Sequence, residues 1–199
     1  MKDYSAYTIG VLALQGAVTE HMRQIERLGA TAVAIKKVKQ LAGIDALILP
    51  GGESTAIGRL MRHYGFIRAI RDFAQQRKPL FGTCAGMILL AKTITGGEPV
   101  HLQLMDIQVQ RNAFGRQVDS FQTPLTVKGL PQPFPAVFIR APYIQRITSS
   151  AVEELAEFNG NPVLAKQGNL LACSFHPELT DDVGIMRLFL DMIEKAPAA

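Results

Sequence analysis

Short, continuously apolar runs alternate with helical patterns through the first half of this 199-residue chain. The apolar runs lie at residues 8–14, 31–35, 45–49 and 80–81, and the helical patterns at 18–28, 55–76 (with a break at Gly65) and 87–92. Strands that are apolar throughout are buried on both faces, which is typical of parallel sheets covered by helices. We therefore predict a three-layer α/β fold around a mainly parallel, doubly wound sheet.

The pattern changes beyond residue 100, where short strand-like pieces are separated by Gly, Pro and Asn. These pieces lie at residues 104–109, 125–127, 136–139, 163–165 and 170–173. They predict antiparallel additions to the sheet, followed by a final helix at residues 182–194. The sequence shows no internal repeat, low-complexity tract or linker, so we expect one domain covering residues 1–199.

The pentapeptide GTCAG directly follows the apolar run that ends at Phe81. A cysteine flanked by small residues, where a strand turns into a helix, can expose its thiol at a sharp elbow beside the N–H groups of that helix. This pattern taken alone leaves two interpretations open, a nucleophilic Cys84 and a small buried side chain, as most free cysteines are. Cys173 lies within a strand-like run and is interpreted as core packing.

A nucleophilic cysteine needs a base, and the base needs a group that orients it. His176 ends an apolar run and is followed by Pro177 and Glu178. Because residues two apart in an extended chain point to the same side, Glu178 can hydrogen-bond the imidazole while Pro177 stiffens the link. A solvated turn after a strand is the alternative. His21 follows Glu20 early in a helical pattern and is predicted to be a surface residue.

The segment PGGEST lies where the third predicted strand ends and a helix begins. Gly51 and Gly52 permit backbone conformations closed to other residues, so their N–H groups can converge on a small anionic centre. With the N–H of Ala85, they are predicted to form an oxyanion hole. No Gly-Lys-Ser/Thr follows, which disfavours a nucleotide phosphate loop, whereas an ordinary turn capped by Ser54 or Thr55 stays open.

Composition excludes several other classes of function. The net charge of +4 is spread along the chain, with one tight cluster at Lys36, Lys37 and Lys39, and no zinc-finger or helix-turn-helix spacing indicates nucleic-acid binding. No apolar run reaches the ~18 residues of a membrane span. No metal-ligating pattern is present, so we expect no metal and no cofactor. The 2 cysteines cannot form a disulfide framework, which favours a reducing cytoplasm.

Strings distributed along nearly the whole chain carry a resemblance to a known family. They are LQGAV, LPGGEST, GTCAG, RNAFGRQ, FIRAP and CSFHPELT, which begin at residues 14, 49, 82, 111, 138 and 173. In this order they resemble the PdxT (SNO) family, the glutaminase subunits of pyridoxal 5'-phosphate synthase, which are class I (triad) glutamine amidotransferases. The sequence departs from the family pattern at Ala13, where glycine is expected, and at Ala113, where serine is usual.

The resemblance implies a flavodoxin-like class I amidotransferase fold and hydrolysis of L-glutamine to L-glutamate and ammonia. Cys84 would attack the side-chain amide, His176 would transfer protons, and Glu178 would orient His176. The family pattern places glutamine contacts at Gly52, Glu53, Ser54, Arg111, Ile139 and Arg140. For the two arginines taken alone, a surface salt bridge is the alternative.

The resemblance also implies a partner, the synthase subunit of the PdxS family, which uses the ammonia to build pyridoxal phosphate (vitamin B6). Gln15 ends the first predicted strand, at the edge where a doubly wound sheet binds ligands, and we hypothesise that it gates or signals across the interface. A simple turn amide is its alternative. A class I glutaminase for another acceptor, a non-catalytic regulatory module and a cysteine peptidase are competing hypotheses, although an intact Cys84, His176 and Glu178 disfavour the regulatory module.

Overall fold

The computed structural model describes residues 2–112 and 120–193 of the chain. Residues 113–117 of the RNAFGRQ string and the predicted helix end at Glu194 lie outside the described residues. The strands are β1 (Thr8–Leu12), β2 (Thr31–Ile35), β3 (Ala46–Leu49), β4 (Leu80–Thr83), β5 (Ala91–Ile94), β6 (Met105–Gln110), β7 (Ser120–Leu125), β8 (Phe134–Ile139), β9 (Tyr143–Ile147), β10 (Glu153–Phe158), β11 (Asn161–Gln167) and β12 (Leu170–Cys173). The helices are α1 (Val18–Arg27), α2 (Ser54–His63), α3 (Phe66–Gln75), α4 (Ala85–Leu90) and α5 (Gly184–Leu190), with 3-10 turns η1 (Val38–Gly43) and η2 (Pro177–Leu179).

The largest sheet has the strand order β10-β11-β12-β4-β3-β1-β2. Its strands from β12 to β2 run parallel, and β11 and β10 are antiparallel to their neighbours. Successive side chains of a strand point to opposite faces. Thus Leu47 and Leu49 of β3 pack into the core on one face of the sheet, whereas Ala46 and Ile48 pack into the core on the other.

Helices cover both faces of this sheet. Ile57 of α2, Ile70 of α3 and Met87 of α4 pack into the first core, and Ile25 of α1 and Phe189 of α5 pack into the second. Burying one such side chain contributes roughly 1.5–3 kcal/mol, so each helix is held chiefly by its apolar face. The predicted three-layer fold around a mainly parallel sheet is confirmed.

The antiparallel additions were expected on the main sheet, and most of them lie elsewhere. Only β10 and β11 extend that sheet, while β5, β6 and β9 form a second sheet and β7 pairs with β8. The piece predicted at 125–127 overlaps only the last residue of β7, and β5, β9 and β10 have no counterpart in the prediction. In β5 the buried Ala91 and Ile94 enclose the exposed Lys92 and Thr93, so no continuous apolar run marks the strand.

Several predicted boundaries shift where the chain turns. The expected break at Gly65 is confirmed, because this glycine takes a left-handed conformation (φ 77°) between α2 and α3. The helix predicted at 87–92 begins earlier, at Ala85, and ends at Leu90, where β5 follows. β1 ends at Leu12, so Gln15 lies in the loop beyond the strand. The loops after β1, β3, β4 and β12 share the carboxyl edge of the parallel strands, where doubly wound sheets bind ligands.

Candidate active site

Cys84 stands alone between β4 and α4, at a sharp elbow. Its backbone has φ 51° and ψ −105°, a conformation that costs a non-glycine residue about 1–3 kcal/mol and is concentrated at functional sites. The flanking glycines make this turn possible, because a Cβ on Gly82 would overlap the Gly86 carbonyl, and a Cβ on Gly86 would overlap the Leu49 carbonyl. The GTCAG pattern therefore builds the elbow through close backbone approach on both sides of the cysteine.

His176 and Glu178 reach the elbow from the neighbouring strand. β12 pairs with β4 so that Cys173 lies opposite Thr83, and the Cys84 N–H donates to the Cys173 carbonyl at 2.8 Å. The chain then turns into η2, and His176 Nδ1 lies 2.7 Å from Glu178 Oε1. The His176 side chain is 11% exposed and that of Glu178 is fully buried. The His-Pro-Glu segment is thus a buried hydrogen-bonded pair rather than a solvated turn.

Electrostatics keep a proton on His176 and a charge on Glu178. Burial lowers the pKa of His176, but hydrogen bonds to Cys84 and Glu178, with the negative charges of those groups, outweigh burial and raise this pKa to about 10. Burial likewise raises the pKa of Glu178, yet the hydrogen bond from His176 and the positive charge of that ring bring it below its usual value. At neutral pH the imidazole is therefore protonated, between the Cys84 sulfur and the Glu178 carboxylate.

The glycine loop between β3 and α2 lies against these side chains. A Cβ on Gly51 would be 2.6 Å from His176 Cε1 and 3.5 Å from Cys84 Cβ. The cap of α2 is Glu53, whose carboxylate accepts from the N–H groups of Thr55 at 3.0 Å and Ala56 at 2.7 Å. The alternative of an ordinary turn capped by Ser54 or Thr55 is therefore wrong about the capping residue.

Two of the three residues predicted for the oxyanion hole face the cavity. Gly52 lines it after β3, and Ala85, the first residue of α4, lines it beside Cys84. The first N–H groups of a helix have no intrahelical acceptor, so that of Ala85 can donate to a ligand. Gly51 does not line the cavity and lies within contact distance of the His176 imidazole.

A cavity of about 520 Å³ opens over Cys84 and His176. All residues predicted to contact glutamine line it, namely Gly52, Glu53, Ser54, Arg111, Ile139 and Arg140. Gln15 and Ala85 line it too, together with Ile88, Asn112 and Pro142, which the sequence reasoning did not single out. Asn112 lies within the RNAFGRQ string and Pro142 ends the FIRAP string, so the resemblance to the family could have identified both.

Arg111 is held at the cavity by carboxylates. Its Nη1 lies 2.6 Å from Glu98 Oε2, and its Nη2 lies 3.3 Å from Glu53 Oε1. Arg111 therefore lines the cavity and also forms salt bridges, which the sequence analysis had treated as alternative roles. In the same cavity the Cys84 thiol lies 4.0 Å from the carbonyl oxygen of Ile139.

Gln15 reaches from the loop after β1 to the glycine loop. Its Oε1 accepts from the Glu53 N–H at 2.9 Å, and a Cβ on Gly52 would overlap this same oxygen. The amide is therefore more than a local turn contact, because it joins the loop after β1 to the loop that carries Gly51 and Gly52.

The prediction that His21 is a surface residue is wrong. His21 is fully buried, with Nε2 3.2 Å from Thr83 Oγ1 and 3.7 Å from Glu178 Oε2. The signal was present in the helical spacing, since His21 lies four residues before Ile25 and so shares its buried face. The charged Glu20 beside it masks this spacing in the linear sequence.

The described residues contain neither a candidate metal site nor a helix that could span a membrane. Within residues 2–112 and 120–193, no group of three or more His, Cys, Asp or Glu side chains could hold a metal ion. None of the helices that the structure describes combines the length and apolarity that crossing a bilayer requires.

Comparison with known proteins agrees with this site. The model of the SNO glutamine amidotransferase family matches residues 11–195. The pyridoxal 5'-phosphate synthase subunit PdxT of Pasteurella multocida is 66% identical over 192 residues, which is 96% of this chain and 100% of that protein. A crystal structure described as a glutamine amidotransferase superposes with a TM-score of 0.89 at 49% identity, covering 93% of this chain and 98% of that one.

More distant structures share the fold alone. A chain in the structure of PurLQS from Thermotoga maritima gives a TM-score of 0.69 at 14% identity, covering 94% of this chain and 98% of that one. The family resemblance drawn from the motif strings is confirmed by the family match and by the Pasteurella relative. Because both extend over nearly the whole sequence, the chain belongs to the SNO glutamine amidotransferase family.

Proposed function

We propose that this chain is the glutaminase subunit of a pyridoxal 5'-phosphate synthase, and that it hydrolyses L-glutamine to L-glutamate and ammonia. The observation that carries the proposal is that Cys84 and His176 line one cavity, while the buried Glu178 is hydrogen-bonded to His176 behind it. Family membership and the full-length relatives named PdxT support the same activity.

In the first half of the reaction, Cys84 Sγ attacks the side-chain amide carbon of glutamine as a thiolate. The carbonyl oxygen becomes an oxyanion, for which the N–H groups of Gly52 and Ala85, the two predicted residues that line the cavity, are the proposed donors. The protonated His176 gives its proton to the amide nitrogen, the C–N bond breaks, and ammonia leaves a thioester on Cys84.

In the second half, the now neutral His176 takes a proton from water, and the hydroxide attacks the thioester carbon. The C–S bond breaks, glutamate leaves, and Cys84 regains its starting state with His176 protonated again. Throughout, Glu178 accepts the Nδ1 hydrogen bond, which keeps the imidazole in one orientation and stabilises its charged form.

The cavity offers complementary groups for both ends of glutamine. Arg111 has N–H donors beyond those that face Glu98 and Glu53, and with Arg140 it can bind the α-carboxylate. The α-ammonium needs acceptors, which the Glu53 carboxylate and the Ile139 carbonyl can supply. Ser54 and Gly52 then border the side-chain amide close to Cys84.

We propose that the ammonia passes to a synthase subunit of the PdxS family. We also propose that the complex works in the cytoplasm, because a reducing compartment keeps the 2 cysteines as free thiols. Ammonia released into neutral water is protonated and loses its nucleophilicity, so the glutaminase serves synthesis only when it is docked on an acceptor enzyme. The Pasteurella relative, described as a subunit of pyridoxal 5'-phosphate synthase, supports this assembly.

The test is ammonia release from glutamine by the chain alone and with a PdxS-type synthase subunit. We expect slow release alone and a clear increase with the partner, measured by coupled glutamate dehydrogenase assay at saturating glutamine. Hydrolysis without any stimulation by the synthase would point to another acceptor enzyme, and no hydrolysis in either condition would contradict the glutaminase assignment.

Gln15→Ala tests the gating hypothesis. The substitution removes the hydrogen bond to the Glu53 N–H, which is worth about 1 kcal/mol, so partner-stimulated hydrolysis should fall about fivefold while synthase binding persists. Gln75→Ala, at the exposed end of α3, is the matched control and should leave the stimulated rate unchanged. Equal stimulated rates for Gln15→Ala and the native chain would remove Gln15 from the gating mechanism.

A further inference from the structure

His21 is a buried histidine for which the proposed reaction has no role. It lies on the inner face of α1, has no exposed surface, and points its Nε2 at two oxygens, Thr83 Oγ1 at 3.2 Å and Glu178 Oε2 at 3.7 Å. Thr83 immediately precedes Cys84, and Glu178 orients His176. One buried imidazole thus lies between the strand that carries the nucleophile and the carboxylate that serves the base.

The carboxylate of Glu178 has one oxygen in use and one without a hydrogen bond. Oε1 pairs with His176 Nδ1, whereas Oε2 is buried and has no hydrogen-bond partner among the residues that the structure describes. A buried carboxylate oxygen without a donor is costly. The N–H that His21 can direct toward Oε2 is therefore significant, even at a distance longer than a hydrogen bond.

The surroundings of His21 select its protonation state. Burial lowers the pKa of His21, and this outweighs the opposing effect of Glu178, so the ring is neutral at physiological pH. Its Nδ1 has no partner among the described residues, so a second ring proton would be buried without an acceptor. The single proton therefore belongs on Nε2, where both oxygen acceptors lie.

We propose that His21 is a positioning residue whose Nε2–H faces Glu178 Oε2 and keeps that carboxylate ionised and aimed at His176. The inference rests on the proposed glutaminase function. When His176 gains and loses its proton during turnover, the carboxylate must neither rotate nor take up the proton itself. An N–H donor facing Glu178 Oε2 opposes both the rotation and the protonation of this carboxylate.

The next inward residue of α1 has a different task. Gln24 Nε2 donates to the carbonyl oxygens of Pro177 at 2.8 Å and Thr180 at 3.0 Å, which fixes the backbone of the turn that carries Glu178. α1 thus holds the backbone of this turn through Gln24 and faces its carboxylate through His21. Removing His21 should change the chemistry of the carboxylate while the backbone hydrogen bonds persist.

Three substitutions separate the hydrogen bond from packing. Gln places an amide N–H near the position of Nε2, Asn places one near the position of Nδ1, and Leu fills the space with no donor. In complex with the synthase, we expect kcat for glutamine hydrolysis to fall roughly 10- to 100-fold in His21→Leu and His21→Asn, with KM unchanged. His21→Gln should recover most of the lost rate. His63→Leu, which removes an exposed histidine of α2, is the control for histidine loss and should match the native rate.

The pH profile gives a readout that packing alone would not move. The titratable groups facing this pair are Glu20 on α1, Cys84 at the elbow, and Cys173 and His176 on and after β12. In the proposed arrangement the Nε2–H of the neutral His21 faces Glu178 Oε2 and stabilises the ionised carboxylate, so its removal raises the pKa of Glu178. The carboxylate then becomes protonated at a higher pH. The acid limb of kcat/KM should shift to higher pH in His21→Leu and stay in place in His21→Gln.

Proton NMR of the His176 Nδ1–H tests the proposal independently of activity. This resonance should shift in His21→Leu and His21→Asn and stay near its native position in His21→Gln. Both outcomes are expected even if glutamine proves not to be the substrate. If His21→Leu fails to give a cooperative thermal transition, the comparison of Gln with Asn decides. The proposal is overturned if folded Leu or Asn variants keep native kcat, acid limb and resonance, or if Gln loses as much activity as Asn.

Discussion

Cys84→Ala is expected to abolish glutamine hydrolysis, with a fall in kcat of roughly a thousandfold or more, because members of a triad act as a unit and a methyl group cannot form the thioester. The other cysteine cannot substitute. Cys173 is fully buried, its thiol donates to the Phe175 carbonyl at 3.2 Å, and burial raises its pKa well above the usual range. The measurement is ammonia release in the presence of the synthase subunit.

Cys173→Ala is the matched control, because it removes a thiol from the adjacent strand without touching the cavity. Its hydrolysis rate should stay close to native, with a loss of about 1 kcal/mol in unfolding free energy from the buried volume removed. Cys84→Ala should still bind the synthase, since the elbow lies at the cavity floor. Turnover by a folded Cys84→Ala protein would overturn the triad assignment.

The parallel part of the fold is readable from the sequence because its strands are apolar on both faces. The runs before PGGEST and GTCAG each become a strand whose residues divide between two cores. The strands missed by the prediction lie at the periphery, where exposed and buried residues mix. β10, for example, includes the charged Glu153 and Glu154, and its position is set by pairing with β11 rather than by its own pattern.

The residues of the candidate site likewise fall into those that the sequence predicts and those that it does not. Residues in short, tightly constrained strings, such as Cys84 and the His176–Glu178 pair, could be predicted because glycines and a proline mark the backbone geometry that their chemistry needs. His21 could not be placed from local sequence, since its significance depends on Thr83 and Glu178, which separate elements bring to it. A histidine beside polar neighbours on a helix looks the same in sequence whether it faces solvent or a buried carboxylate.

Gly51→Ala is expected to lower kcat about 100-fold or more, because a misplacement of about 1 Å at a catalytic group can cost that much. The added Cβ would lie 2.6 Å from His176 Cε1 and 3.2 Å from Nδ1, well inside van der Waals contact. Nδ1 also makes the 2.7 Å hydrogen bond to Glu178, so a movement of the ring that relieves the clash disturbs that bond. Rates of ammonia release at saturating glutamine, with the synthase present, measure the effect.

Gly43→Ala separates this local clash from the general effect of replacing a glycine. Gly43 ends η1, and a Cβ there would meet nothing within 4 Å. It should therefore hydrolyse glutamine at the native rate, and its unfolding midpoint should not fall. If Gly51→Ala also kept a native rate, the glycine loop would have room to move away from His176, and the close approach seen between them would have no part in catalysis. A loss confined to Gly51→Ala, with the complex still assembled, would mean that this glycine is required because the imidazole occupies the space of a side chain.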